Sequence, residues 1–287
     1  THTFTAIAAT ATAMLAFAGN SILCRLALGS GAIDPASFTA VRVVSGAVAL
    51  ALICIAVRRG AAIAPGGSWL AAAMLFLYAV CFSYAYVSLG AASGALILFG
   101  CVQGTMIAVA LYRGDRPTVV ELLGWLCAIA GFAALLLPGA TAPSIPAAAM
   151  MSVAGIAWGV YSILGKTESD ALAATTANFR RSVIFAIPLV VMTFAHSRIE
   201  TAGLLLAVCS GALTSGLGYV IWYIAITHLT SLRAALVQLS VPAITALGGV
   251  LLLAEPLSLR IALSGTAIMG GVLAALLGKA NWPDAGK

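Results

Sequence analysis

Long apolar runs with brief polar breaks dominate this chain. Residues 60–112 contain no Asp, Glu, Lys or Arg, and neither do residues 122–165. As helices rising about 1.5 Å per residue, such runs far exceed one crossing of a hydrocarbon layer roughly 30 Å thick, so each must fold back. The breaks fall at Gly90-Ala91-Ala92-Ser93-Gly94 and at the Pro- and Gly-rich stretch Pro138 to Pro146. Carried along the whole chain, the pattern predicts ten spans, near 4–24, 35–57, 68–88, 94–112, 119–138, 146–165, 172–195, 202–226, 232–253 and 258–278. Asp34-Pro35, Arg116-Pro117, Ser144-Ile145-Pro146 and Glu255-Pro256 supply helix-start signals. Runs of this length are too long for barrel strands, and lipid leaves each backbone group to be satisfied within its own segment. The fold class is therefore all-α, a polytopic membrane protein.

Composition agrees. The chain is 62% hydrophobic and 8% charged, with a mean hydropathy of +1.12, whereas soluble domains carry roughly 25% charged residues. Arg58, Arg59, Arg113, Arg116, Lys166, Arg233, Lys279 and Lys287 fall on the side of the two termini, against Arg25, Arg198 and Arg260 on the other. The positive-inside bias then places both termini in the cytoplasm. Orientation accounts for the net charge of +6 without a nucleic-acid partner.

An internal repeat organises the spans. Ser21-Ile22-Leu23-Cys24-Arg25 returns as Ser162-Ile163-Leu164-Gly165-Lys166, and Ala36-Ser37-Phe38 as Ala177-Asn178-Phe179, at an offset of about 141. Further on, Asp115 falls on Glu255 and Gly131 on Gly271. Phe17 and Asn20 meet Trp158 and Tyr161 at the same offset, which assigns the first span to the repeat unit and not to a cleaved leader. The units, residues 1–140 and 141–287, hold five spans each. An odd number of crossings inverts the second copy, and inverted repeats of this kind place a substrate site near the midplane where the halves meet.

The chemistry narrows what such a site can do. All eight carboxylates lie at span ends or in loops, so no acid is left for a midplane proton relay or cation site. The six cysteines form no CxxC pair and the three histidines do not cluster, so neither a metal nor another cofactor is expected. No nucleophile–base spacing or phosphate loop suggests an enzyme. Three arginines lie within spans: Arg42, Arg180 and Arg181. Each either snorkels or bonds to carbonyls, or faces the path and meets a substrate carboxylate. The candidate substrate residues are Phe17, Asn20, Tyr78, Phe99, Gln103, Trp158, Tyr161, Trp222 and Gln238, aromatic rings and amides that helical spacing puts on shared faces. Aromatic residues towards the ends of the third and eighth spans read more simply as an interfacial belt. Pro188 and Pro242 interrupt backbone hydrogen bonding and are candidate hinges, while Gly248-Gly249 and Gly270-Gly271 suit close helix packing.

Pro242, Glu255, Gly265 and Gly270-Gly271-Val272, with the weaker first-half set Asp115, Gly124 and Gly131, resemble the EamA-type repeats of the drug/metabolite transporter superfamily. Val102 stands where the first-half pattern would have Pro. Within that superfamily, length and span number look most like the YddG type of aromatic amino acid exporter. The resemblance implies export of aromatic and other neutral amino acids from the cytoplasm across a bacterial inner membrane by alternating access. A monomer without obligatory protein partner is expected. Efflux of amphipathic cations or nucleosides by the same fold is the alternative.

Overall fold

The computed structural model describes residues 2–58, 66–112, 114, 118–137, 139, 142–166, 168–227 and 237–280. Arg59, Arg113, Asp115, Arg116, Arg233, Asp284 and Lys287 lie outside the described residues. The described chain is helical: α1 (His2–Gly29), α2 (Pro35–Arg58), α3 (Trp69–Tyr86), α4 (Ala91–Tyr112), α5 (Val119–Leu136), α6 (Ile145–Gly165), α7 (Ala171–Thr193), α8 (Thr201–Cys209), α9 (Gly218–Thr227), α10 (Ser240–Leu253) and α11 (Leu259–Ala280). A π-helical segment, Ser210–Leu217, joins α8 to α9. Eight helical stretches are long and apolar enough to cross a membrane, the eighth being Thr201–Ala225, and two shorter apolar helices follow. Their outer faces carry large apolar side chains such as Leu123, Met192 and Leu251, all exposed, as a lipid-facing rim requires.

Local chemistry explains most boundaries. Asp34 caps α2 by accepting from the N–H groups of Ala36 and Ser37, and Pro35 opens the helix. Thr118 and Glu121 form a reciprocal capping box at α5. Two boundaries and one cap differ from the sequence reading. α1 runs to Gly29, five residues past the expected end, because Arg25 is held within the fold. α4 begins at Ala91 instead of 94, since Glu255 Oε2 accepts from the Ala91 N–H at 2.7 Å. Glu255 therefore caps α4 and not the helix that follows it, which Ser258 caps through the Ile261 N–H.

Packing pairs the two halves throughout. α3 packs on α6 as α1 packs on the α8–π–α9 stretch, and α4 on α6 as α1 on α10. α2 packs against α7, α4 against α10, and α5 against α11, each a helix facing its counterpart at the repeat offset. At the last of these, a Cβ on Gly124 would meet the Gly271 carbonyl, and one on Gly271 would meet the Gly124 carbonyl. Small residues here let two backbones touch, the usual basis of helix association in lipid. Gly270, paired with Gly271 in the sequence reading, faces open space.

Candidate functional site

At mid-height, five helices converge on a small cavity of about 10 Å³, room for one water at most. Its lining comprises Phe17, Asn20 and Ser21 of α1, Tyr78 and Phe82 of α3, Leu98 and Phe99 of α4, Trp158 of α6 and Tyr219 of α9. Both halves contribute. Phe17 and Trp158, equivalent in the repeat, meet edge-on with ring centroids 5.7 Å apart. Tyr78 and Tyr219, 141 residues apart, bring their hydroxyls to 3.4 Å. Both contacts join residues 141 positions apart, the offset of the sequence repeat.

A polar network lies behind the aromatic walls. Arg42 is 2% exposed. Its Nε donates to Ser215 Oγ at 3.0 Å, and Nη2 donates to the hydroxyls of Tyr78 at 3.0 Å and Tyr219 at 3.1 Å. Its guanidinium carbon stands 5.0 Å from the Tyr78 ring centre and 5.1 Å from that of Phe82, within cation–π range. Nη1 is buried with no acceptor, and no carboxylate pairs with Arg42 among the described residues. Asn20 Nδ2 donates to the Tyr78 hydroxyl at 3.1 Å, while its Oδ1 accepts from Ser210 at 2.6 Å and Thr214 at 3.2 Å. The π segment makes this double engagement possible. Its wider turns present Ser210 and Thr214 to Asn20 and, one residue on, Ser215 to Arg42, with Tyr219 following in the first turn of α9, the kind of local irregularity that gathers at functional sites.

Of the residues singled out from sequence, the structure gathers Phe17, Asn20, Tyr78, Phe99 and Trp158 around the cavity. Tyr161 and Trp222 form a second ring, 5.5 Å from Trp158 and 5.6 Å from Phe17 by ring centroids. Gln103 and Gln238 are buried but not in the lining. Arg180 is exposed, and Arg181 donates to the Gly66 carbonyl and lies over Trp69, so neither belongs to the cavity. Pro188 sits inside α7 on an exposed face. Pro242 cannot donate to the Gln238 carbonyl, and the helical residues 237–238 are parted from α10 by a turn at Leu239. Phe82, Tyr86, Tyr219 and Tyr223, read from sequence as belt residues, are buried, and so is the candidate substrate residue Trp222. Ser21, Phe82 and Tyr219 join the site without having been proposed; adding the repeat offset to Tyr78 would have found Tyr219.

A second feature ties α1 to the α3–α4 turn and to the segment after α10. Arg25 Nε donates to Glu255 Oε1 at 2.6 Å, and Arg25 Nη1 donates to the carbonyls of Tyr86 and Val87. Ala254, at φ 52°, turns through the left-handed region to aim Glu255 back at α1 and α4. This conformation costs a non-glycine residue roughly 1 kcal/mol or more. The pair forms part of the wall of an open cleft of about 380 Å³ together with Ser93, Pro143 and Ser258.

Comparison with known proteins fits this architecture. Residues 145–277 match the EamA-like transporter family. Over 274 residues the chain is 50% identical to Uncharacterized protein PA1977 of Pseudomonas aeruginosa, covering 94% of this chain and 95% of that protein. Two proteins of Archaeoglobus fulgidus, each described as an uncharacterized transporter, are 28% identical. One match spans 274 residues, 90% of this chain and 93% of its relative, and the other 191 residues, 64% and 67%. A protein of known crystal structure superposes with a TM-score of 0.66 at 19% identity over 95% of this chain and 97% of its own, a likeness of fold alone. Fold and matches together define a multi-pass membrane transporter. Residues 145–277 carry the EamA-like transporter domain, and the relatives described as transporters support the drug/metabolite transporter superfamily for the chain.

Proposed function

We propose that this protein is a secondary exporter of amino acids, aromatic and other neutral ones, of the YddG type. It works by alternating access between two inverted five-helix units, ten spans in all, in a bacterial inner membrane with both termini cytoplasmic. It acts as a monomer. The observation that carries this reading is the central cavity: aromatic walls from both halves suit an apolar side chain, and amide, hydroxyl and guanidinium groups beside them suit a polar head. Contact between the equivalent residues Phe17 and Trp158, and between Tyr78 and Tyr219, supports an inverted repeat with its axis through the site. The small volume suits an occluded state, in which the Arg25–Glu255 pair bars the face opposite the termini and a mirror-image closure operates at the other. The buried, uncompensated Arg42 weighs against efflux of amphipathic cations, which a positive site repels.

The test is flux. Purified protein in liposomes moves labelled Phe, Met or Thr, and Trp158→Ala cuts the initial rate at least tenfold while the variant remains monodisperse. Repeating the assay with an imposed pH gradient reads proton coupling. No movement of any amino acid contradicts the proposal.

A further inference from the structure

The Tyr78 and Tyr219 hydroxyls own two protons, and the cluster uses one. Each oxygen accepts from Arg42 Nη2, and Tyr78 also accepts from Asn20. One hydroxyl proton bridges the two rings, and the other has no acceptor among the described residues. Both rings line the central cavity, and the Tyr78 hydroxyl bonds Asn20, itself a lining residue, which brings that proton within reach of a ligand there. Arg42 stands directly behind with its charge unmatched by any carboxylate among the described residues and Nη1 unpartnered. A guanidinium is not deprotonated in proteins, and hydroxyls that accept from a cation are stronger donors for it. The Asn20 carbonyl, by contrast, already accepts from two hydroxyls. The site thus offers positive charge and a free donor, with no opposing charge for a cation.

We propose that the Tyr78–Tyr219 hydroxyl pair, backed by Arg42, is a carboxylate-binding site, and that this protein recognises its substrates by their carboxylate and not by their amino group. This deepens the amino acid reading and rests on the same cavity. A ligand carboxylate accepts the spare hydroxyl proton, cancels the buried charge of Arg42 and leaves its side chain among the aromatic rings. Once Tyr78 or Tyr219 swings towards the ligand, Nη1 and Nη2 can engage the second carboxylate oxygen.

Direct binding by equilibrium dialysis to the detergent-purified full chain tests this with three radiolabelled compounds of one skeleton: L-phenylalanine, 3-phenylpropanoate and 2-phenylethylamine. Both carboxylates bind within about threefold of one another and the amine binds at least tenfold more weakly, as expected where a hydrogen bond to a charged group is lost. Arg42→Gln removes the preference for carboxylates, and Arg42→Lys, which keeps the charge, restores part of it. If Arg42→Gln does not fold, the wild-type order of the three compounds decides alone. Amine binding equal to that of the carboxylates, an unchanged preference in a folded Arg42→Gln, or binding of none of the three overturns the inference. Binding of 3-phenylpropanoate without phenylalanine keeps the carboxylate site and defeats the amino acid reading. Binding of phenylalanine and phenylethylamine alike does the reverse.

Discussion

Single side chains do here what neither composition nor helix pattern reveals. Asp34 joins two loops on the face opposite the termini: it caps α2 and accepts from the Arg198 N–H at 2.9 Å, beside the Ile33–Ile199 bridge. Burial pushes its carboxyl up, but hydrogen bonds from Ser37, Arg198 and Ala36 outweigh this and hold it below the ordinary value. A carboxyl whose folded pKa lies below its unfolded one stabilises the protein above the unfolded value, about 3.9, and loses that contribution as pH falls through the folded value. Asp34→Ala should therefore lower the thermal midpoint at pH 7, by the equivalent of about 1 kcal/mol for a lost cap, with the gap to wild type closing below about pH 4. A gap independent of pH would refute the linkage. Arg42 is the opposite case. Sequence placed it within a span with two open readings, and only its hydrogen bonds to Tyr78, Tyr219 and Ser215 separate it from Arg180 and Arg181. Nothing local to residue 42 announces partners 36 and 177 positions away.

Among the elements, the π segment is the most consequential departure from regularity. It packs against α2, where a Cβ on Gly211 would collide with the Arg42 carbonyl and the Ser45 hydroxyl. Because one of the opposing atoms is backbone, Gly211→Ala must shift the helix. It should cost about 1–3 kcal/mol and reduce transport by moving Ser215 and Tyr219 off Arg42. Gly270→Ala, with open space around it, should change neither melting nor flux. Equal effects in a paired thermal-melt and flux comparison would contradict the packing argument. The spans were legible because an uncharged run has few folds open to it in lipid. The π segment was not, since Ser210 to Leu217 carries no pattern distinct from a helix. Nor was the true start of α4, whose cap arrives from Glu255, 164 residues downstream. The aromatic residues of α3 and α9 misled for a related reason: nearness to a span end says belt, while burial depends on the helices packed around them.

For the whole molecule, the repeat offset ties the sequence to the packing. The offset legible in Ser21–Arg25 and Ser162–Lys166 reappears as physical contact at the centre, where Phe17 meets Trp158 and Tyr78 meets Tyr219. If Arg25–Glu255 is one of two closures, weakening it shifts the balance of states. Glu255→Gln keeps an acceptor for the Ala91 N–H but drops the ion pair, a change of about 1 kcal/mol for a part-exposed pair. It should raise labelling of Ser21→Cys by a membrane-impermeant thiol reagent a few-fold, in a background without the six native cysteines; unchanged labelling would remove the pair from the gating scheme. The central claim, a carrier that exposes one amino acid site alternately to each face, is tested most directly by counterflow. Liposomes preloaded with unlabelled phenylalanine should take up labelled phenylalanine to a transient overshoot well above the level in unloaded liposomes, because the loaded carrier returns faster than the empty one. Uptake without overshoot, equal in loaded and unloaded liposomes, would contradict alternating access.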